Sequence, residues 1–168
     1  MDVFEAVRTV LAVRHYQEQS VPPEVVRQIV EAGRLTASSI NKQPWHFIVV
    51  EDREMLRRIG AMVPTGPYIA EAPLAVVVAI AESPYGVSDA SRAIQSMILT
   101  AWSAGVGSNW VGFHNMADLK PLLNIPDNLD VLAVVPFGYP AQATGKGEKK
   151  RKPLSEVASL GRYGQPFT

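Results

Sequence analysis

The 168-residue chain has no cysteine, no surplus of either charge and no apolar run long enough to cross a bilayer. Without cysteine there can be no disulfide, no thiolate metal site and no cysteine nucleophile, and redox compartment cannot be read from thiol usage. Lys+Arg and Asp+Glu both total 16, so the formal net charge is zero. Nucleic-acid binders normally carry a basic excess, and that partner class is not expected. A neutral surface also gives little repulsion between copies, which favours self-association. The longest apolar run, Pro73 to Ala81, falls far short of the ~20 residues of a bilayer span and reads as a buried strand. Met1 to Glu5 lacks the basic region and apolar run of a secretory leader. No membrane partner is expected, and the expected location is cytoplasmic.

Other chemistry is missing as well. His15, His46 and His114 show no metal-ligand spacing, so no metal is expected. Gly105-Val106-Gly107 leads into a strand rather than a helix and is not a dinucleotide fingerprint. Ser108-Asn109-Trp110 reads as strand packing, and Trp102 and Trp110 as core or interface aromatics, one of which could border a substrate cavity.

The residues that are present describe one globular domain over 1–168. Hydrophobic residues make up 47% and charged residues 19%, enough for a substantial core at this length. Val3, Phe4, Val7, Val10 and Leu11 share one face of a helix over 2–12. A second helix begins near Pro22-Pro23-Glu24, and a strand covers 46–50. Asp52 is placed to cap a helix that buries Met55, Leu56, Ile59 and Met62. A Pro- and Gly-rich loop over 64–73 precedes the strand at 74–81. Asp89 to about Ala104 forms the most apolar helix, with Gly105 as its stop. Strands are expected at 107–113 and 131–137, with a short helix over 117–123 between them, and 145–152 is a charged loop. Alternating helices and strands suggest α/β on pattern alone.

One stretch carries more chemistry than the rest: Ser38-Ser39-Ile40-Asn41-Lys42-Gln43-Pro44-Trp45, opening into the strand. Ser38, Ser39, Asn41 and Gln43 offer hydroxyl and amide groups suited to a phosphate or a polyhydroxyl chain. The same residue types also make ordinary helix-to-strand turns. Two further segments stand out. Pro136-Phe137-Gly138-Tyr139-Pro140 ends the last strand, with a glycine that permits close backbone approach between two prolines. Lys149-Lys150-Arg151-Lys152-Pro153 is a basic run, which is usually a solvated loop.

As a string, Ser-Ser-x-Asn-x-Gln-Pro-Trp resembles the flavin-binding loop of the nitroreductase family. The resemblance implies an α+β fold, with a mixed sheet flanked by helices, in an intertwined homodimer that holds FMN at its interface. Helix 89–104 would then be the central dimer helix, and the C-terminal tail would wrap the partner. Ser38, Ser39, Asn41 and Gln43 would contact the ribityl chain and ring edge. Arg14 would lie near the pyrimidine side of the flavin. Pro136, Phe137, Gly138 and Tyr139 would present backbone to the ring, and Lys149 and Arg151 would close on the phosphate. The family's Arg-Arg-Ser before Arg14 is replaced here by Val10-Leu11-Ala12. That replacement implies a weaker or reshaped phosphate pocket, with Arg8 the nearest remaining cation.

The implied activity is an FMN-dependent NAD(P)H oxidoreductase that reduces nitroaromatics, quinones or similar small electron acceptors by ping-pong hydride transfer. NADH or NADPH would be the donor. Because the flavin performs the chemistry, no protein acid or base is required. Two other readings remain: a non-catalytic flavin-binding or sensing dimer, and a specialised enzyme for reductive dehalogenation or flavin fragmentation. The latter would need a lid, for which Glu82 to Ser88 is the modest candidate.

Overall fold

The computed structural model describes residues 1–112, 116–144 and 149–167. His114 and the part of the basic loop over 145–148 lie outside the described residues. The helices are α1 (Val3–Thr9), α2 (Pro23–Arg34), α3 (Arg53–Met62), α4 (Gly86–Ser103), α5 (Leu119–Leu122) and α6 (Leu154–Val157). The strands are β1 (Trp45–Val50), β2 (Leu74–Ala81), β3 (Gly107–Ser108) and β4 (Leu129–Gly138), and 3-10 turns occupy Ser39–Asn41 and Pro67–Glu71.

The sheet has the order β1-β2-β4-β3. Every ladder is antiparallel, and a single bridge between Ala12 and Ser108 supplies a parallel contact. The arrangement is therefore α+β rather than the parallel α/β suggested by simple alternation.

β2 is apolar throughout because both of its faces are covered. Leu74, Val76 and Val78 join Ile29 of α2 and Ile94 and Met97 of α4 in one core cluster. Ala75, Val77 and Ala79 join Leu56 and Ile59 of α3 and Leu119 of α5 in another. A strand buried on both sides needs no polar alternation. Where β2 meets β4, the register shifts between Val78 and Ala79, and Leu132 and Ala133 then both serve the α2/α4 side.

Local signals set several boundaries. The Asp52 carboxylate accepts from the Met55 N–H at 2.7 Å and caps α3. Asp2 caps α1 in the same way through Glu5, also at 2.7 Å. α4 ends in a Schellman motif: Gly105 has φ +77°, its N–H donates to the Trp102 carbonyl, and Val106 donates to Ala101.

Tertiary context overrides pattern in three places. α4 begins at Gly86, and the proposed lid shrinks to the connection Glu82–Tyr85 between β2 and α4. Of the strand expected over 107–113, the described residues 107–112 form Gly107–Ser108 and an isolated pairing of Val111 with Val134. α1 stops at Thr9, and Val3, Phe4 and Val7 point into solvent while Ala6 and Thr9 are buried.

Candidate active site

A cavity of about 730 Å³ opens beside β3, lined by Val7, Arg8, Val10, Leu11 and Ala12 on one side. Gln95 and Ile98 of α4, Ser108, Asn109 and Trp110, and Lys149 and Arg151 complete its walls. The volume suits a small-molecule or cofactor site. Lys149, Arg151 and Arg8 all line this one cavity. The Lys149 ammonium donates to the Val7 carbonyl at 2.6 Å, which pins the C-terminal segment to the end of α1. Partial burial, and secondarily the neighbouring Arg151, lowers the Lys149 pKa.

Arg14 lies next door. It lines an adjoining depression of about 230 Å³ with His15 and Pro140, and Ala12 borders both spaces. Residues 13–17 run antiparallel to 139–141: Gln17 donates to the Tyr139 carbonyl at 2.8 Å, and Ala141 to that of His15 at 2.9 Å. This ribbon brings Arg14 to the end of β4. Its guanidinium stands 5.9 Å from the centre of the Tyr68 ring, a cation–π distance. The Asn109 carboxamide donates to the Tyr68 hydroxyl, so the ring links Arg14 to the cavity wall.

Along Pro136 to Tyr139, the Phe137 side chain is fully buried in the core, and only backbone could face a ligand. Gly138 is required by its own chain. A Cβ there would meet Pro73 Cδ at 2.6 Å and Tyr16 Cδ1 at 2.9 Å. Tyr16 is buried and donates to the Val13 carbonyl at 2.6 Å. Burial, reinforced by Tyr68, pushes its pKa far above the ordinary phenol value, so it serves as a fixed neutral donor.

The Ser38–Gln43 loop lies elsewhere. Trp45 stands opposite Ile80, near one end of β2, whereas Phe137 stands opposite Leu74 at the other. Six residues at roughly 3.3 Å each separate the two by about 20 Å. The loop is tightly organised. Ile40, Asn41 and Gln43 all have positive φ, at 47°, 56° and 48°, a left-handed region uncommon for non-glycine residues and an outlier for the β-branched Ile40. Ser38 Oγ accepts from the Gln43 N–H at 2.9 Å, and the Gln43 carboxamide donates to Asn41 Oδ1 at 3.1 Å. Ser39 is committed inward: its hydroxyl and N–H donate to Asp89 at 2.9 and 3.0 Å. Asn41 and Gln43 are exposed, and Ser38 is half-buried.

One chain therefore gathers Arg14, Lys149, Arg151 and the end of β4, but not the Ser38–Gln43 loop. Sequence reasoning missed Gln95, Ile98 and the lining role of Ser108 and Asn109, whereas Trp110 is one of the two aromatics it allows at a cavity wall. None of these carried a motif, and only the folding of α4 against β3 brings them to the cavity.

Comparison with known proteins agrees with this architecture. A protein of Methanothermobacter thermautotrophicus, described as an NADH dehydrogenase/NAD(P)H nitroreductase, is 37% identical over 154 residues, covering 86% of this chain and 81% of its own. The crystal structure of a Bacteroides thetaiotaomicron protein with the same description superposes with a TM-score of 0.87 at 28% identity, covering 96% of this chain and 98% of that one. A Desulfovibrio desulfuricans structure, described as a nitroreductase in complex with FMN, gives a TM-score of 0.86 at 29% identity over 100% and 99% of the two chains. The nitroreductase family model matches residues 8–80 and 62–139. Those segments together exceed half of the chain, which belongs to the nitroreductase family.

Proposed function

We propose that this chain is an FMN-dependent NAD(P)H oxidoreductase that reduces electron-poor small molecules such as nitroaromatics and quinones. The observation that carries the reading is the cavity beside β3, which joins a large apolar wall to the cations of Arg8, Lys149 and Arg151. An apolar wall suits a planar ring system, and clustered cations suit a phosphate. FMN, when bound, supplies the hydride relay between nicotinamide and acceptor.

The protein's task is to bind, orient and exclude. Arg14, held by the ribbon of residues 13–17 and 139–141, places positive charge near the end of β4. Lys149 and Arg151 anchor the phosphate end. Backbone at Pro136 to Tyr139 limits the approach to the ring. Ser38, Asn41 and Gln43, about 20 Å away along β2, reach the same flavin only from a second copy.

A homodimer follows from that separation and from the exposed apolar residues. Val3 and Phe4 are 77% and 75% exposed in the single chain. Leu154, Val157, Leu160 and Tyr163 of the tail are also exposed. Apolar surface of that kind marks an association face. The short Glu82–Tyr85 connection gives no lid for a specialised small substrate, so a general acceptor reductase fits better.

Steady-state kinetics test the assignment. Varying NAD(P)H at several acceptor concentrations should give parallel double-reciprocal lines, as alternating half-reactions require. Intersecting lines, or no turnover with any nitroaromatic or quinone, would contradict it.

A further inference from the structure

Arg14 is exposed, and among the described residues its guanidinium makes no hydrogen bond or ion pair. What orients it is a ring. Its guanidinium carbon stands 5.9 Å from the centre of Tyr68, where the negative face of an aromatic attracts a cation. Tyr68 is itself held from three directions. It belongs to the 3-10 turn Pro67–Glu71, and its side chain packs against the cluster of Ile59 and Val111 and that of Tyr16 and Trp102. The Asn109 carboxamide, buried at the cavity wall, donates to its hydroxyl. The turn is also anchored at its far end. Arg53 Nη1 donates to the Ala72 carbonyl at 3.1 Å, and Glu71 Oε2 pairs with His15 Nδ1 at 3.3 Å. One turn thus grips two consecutive residues of the ribbon, Arg14 and His15.

We infer that Tyr68 is a positioning residue: its ring holds the Arg14 cation at the end of β4 and thereby raises the reduction potential of the flavin. The inference rests on the flavin reading above and adds to it a residue outside the cavity lining. The physical argument is electrostatic. Reduction puts negative charge on the pyrimidine end of the flavin, and a cation fixed there stabilises the reduced form more than the oxidised one. A free arginine side chain in water spreads its charge over many rotamers. Stacking on Tyr68 confines that charge before the flavin arrives. Asn109 ties the ring to the cavity wall, so the cation keeps a set position relative to the ligand.

The test measures the midpoint potential of the flavin in full-length, FMN-loaded protein by anaerobic titration against a reference dye. Tyr68→Leu removes the ring face and should lower the preference for reduced over oxidised FMN about tenfold, which is about 30 mV in a two-electron couple. Tyr68→Phe keeps the face and should recover most of that loss. In an Arg14→Gln background, Tyr68→Leu should shift the midpoint no further, because the ring acts through the cation. A packing role alone predicts the same shift with or without Arg14, and that result would overturn the inference. So would an unchanged midpoint in Tyr68→Leu. If Tyr68→Leu does not fold, fluorinating the ring in Tyr68→Phe withdraws charge from the same face at nearly constant shape. The midpoint should then fall with each added fluorine, and a flat series counts against Tyr68. Wild-type protein that binds no FMN would instead overturn the flavin reading itself, and this inference with it.

Discussion

Ser39 donates twice to Asp89, through its hydroxyl at 2.9 Å and its N–H at 3.0 Å, and so ties the Ser38–Gln43 loop to the first turn of α4. The Asp89 carboxylate is fully buried and also accepts from Arg92. Burial alone would raise its pKa, but the Ser39 and Arg92 donors outweigh that and hold it below the ordinary carboxylate value. In the single chain the Ser39 hydroxyl, expected from sequence to contact a ligand, holds the loop in shape through Asp89.

This linkage has a pH signature. A depressed native pKa contributes stability that is present above the unfolded value, near 3.8, and is lost as pH falls through the lower native value. Thermal unfolding should therefore show Asp89→Asn less stable than wild type at neutral pH, with the gap narrowing as acid protonates the wild-type carboxyl. A gap of constant size down to pH 2 would mean that folding leaves the Asp89 pKa unshifted.

Lys149 and Arg151 carry the phosphate in this account. Replacing both with alanine removes two charge-assisted contacts and should weaken FMN binding by about 3 kcal/mol or more, measured by fluorescence titration. Unchanged affinity would place the phosphate elsewhere.

The exposed tail should be the partner's cover. Val157→Asp with Leu160→Asp puts charge on two exposed apolar side chains. If the proposed dimer brings the Ser38–Gln43 loop of each copy to the other's site, sedimentation should show dimer lost, with flavin capacity falling in step. Full flavin occupancy in a monomer would show that one chain completes the site.

Leu56 lies fully buried between α3 and the sheet, in the cluster with Ile59 and Val77. Leu56→Ala should cost about 2–5 kcal/mol, read as a lowered denaturation midpoint in urea. Affinity for FMN in the folded fraction should not change, since Leu56 lies outside the cavity lining.

Much of the scaffold is legible where a single residue enforces a local conformation. Asp52 caps α3, Gly105 ends α4 in a left-handed turn, and the apolar run 74–81 is β2 to the residue. Legibility fails where partners decide. Asn109 bonds to Tyr68 instead of extending β3, and Val3 and Phe4 make an apolar face left exposed by the described residues. The site divides in the same way. Motifs identified the residue types at both ends of β2, but the distance between them follows from strand pairing across the sheet. Arg8 was only the nearest spare cation until the Lys149–Val7 contact placed it in the cavity.

On the proposed function, this fold holds FMN and accepts electrons from a nicotinamide. Purified protein supplied with FMN, freed of excess flavin and made anaerobic should be yellow, with a flavin absorbance band near one per chain. NADH or NADPH should bleach that band, and a nitroaromatic or quinone should restore it. Protein that retains no flavin, or a flavin band untouched by both nicotinamides, would contradict the account.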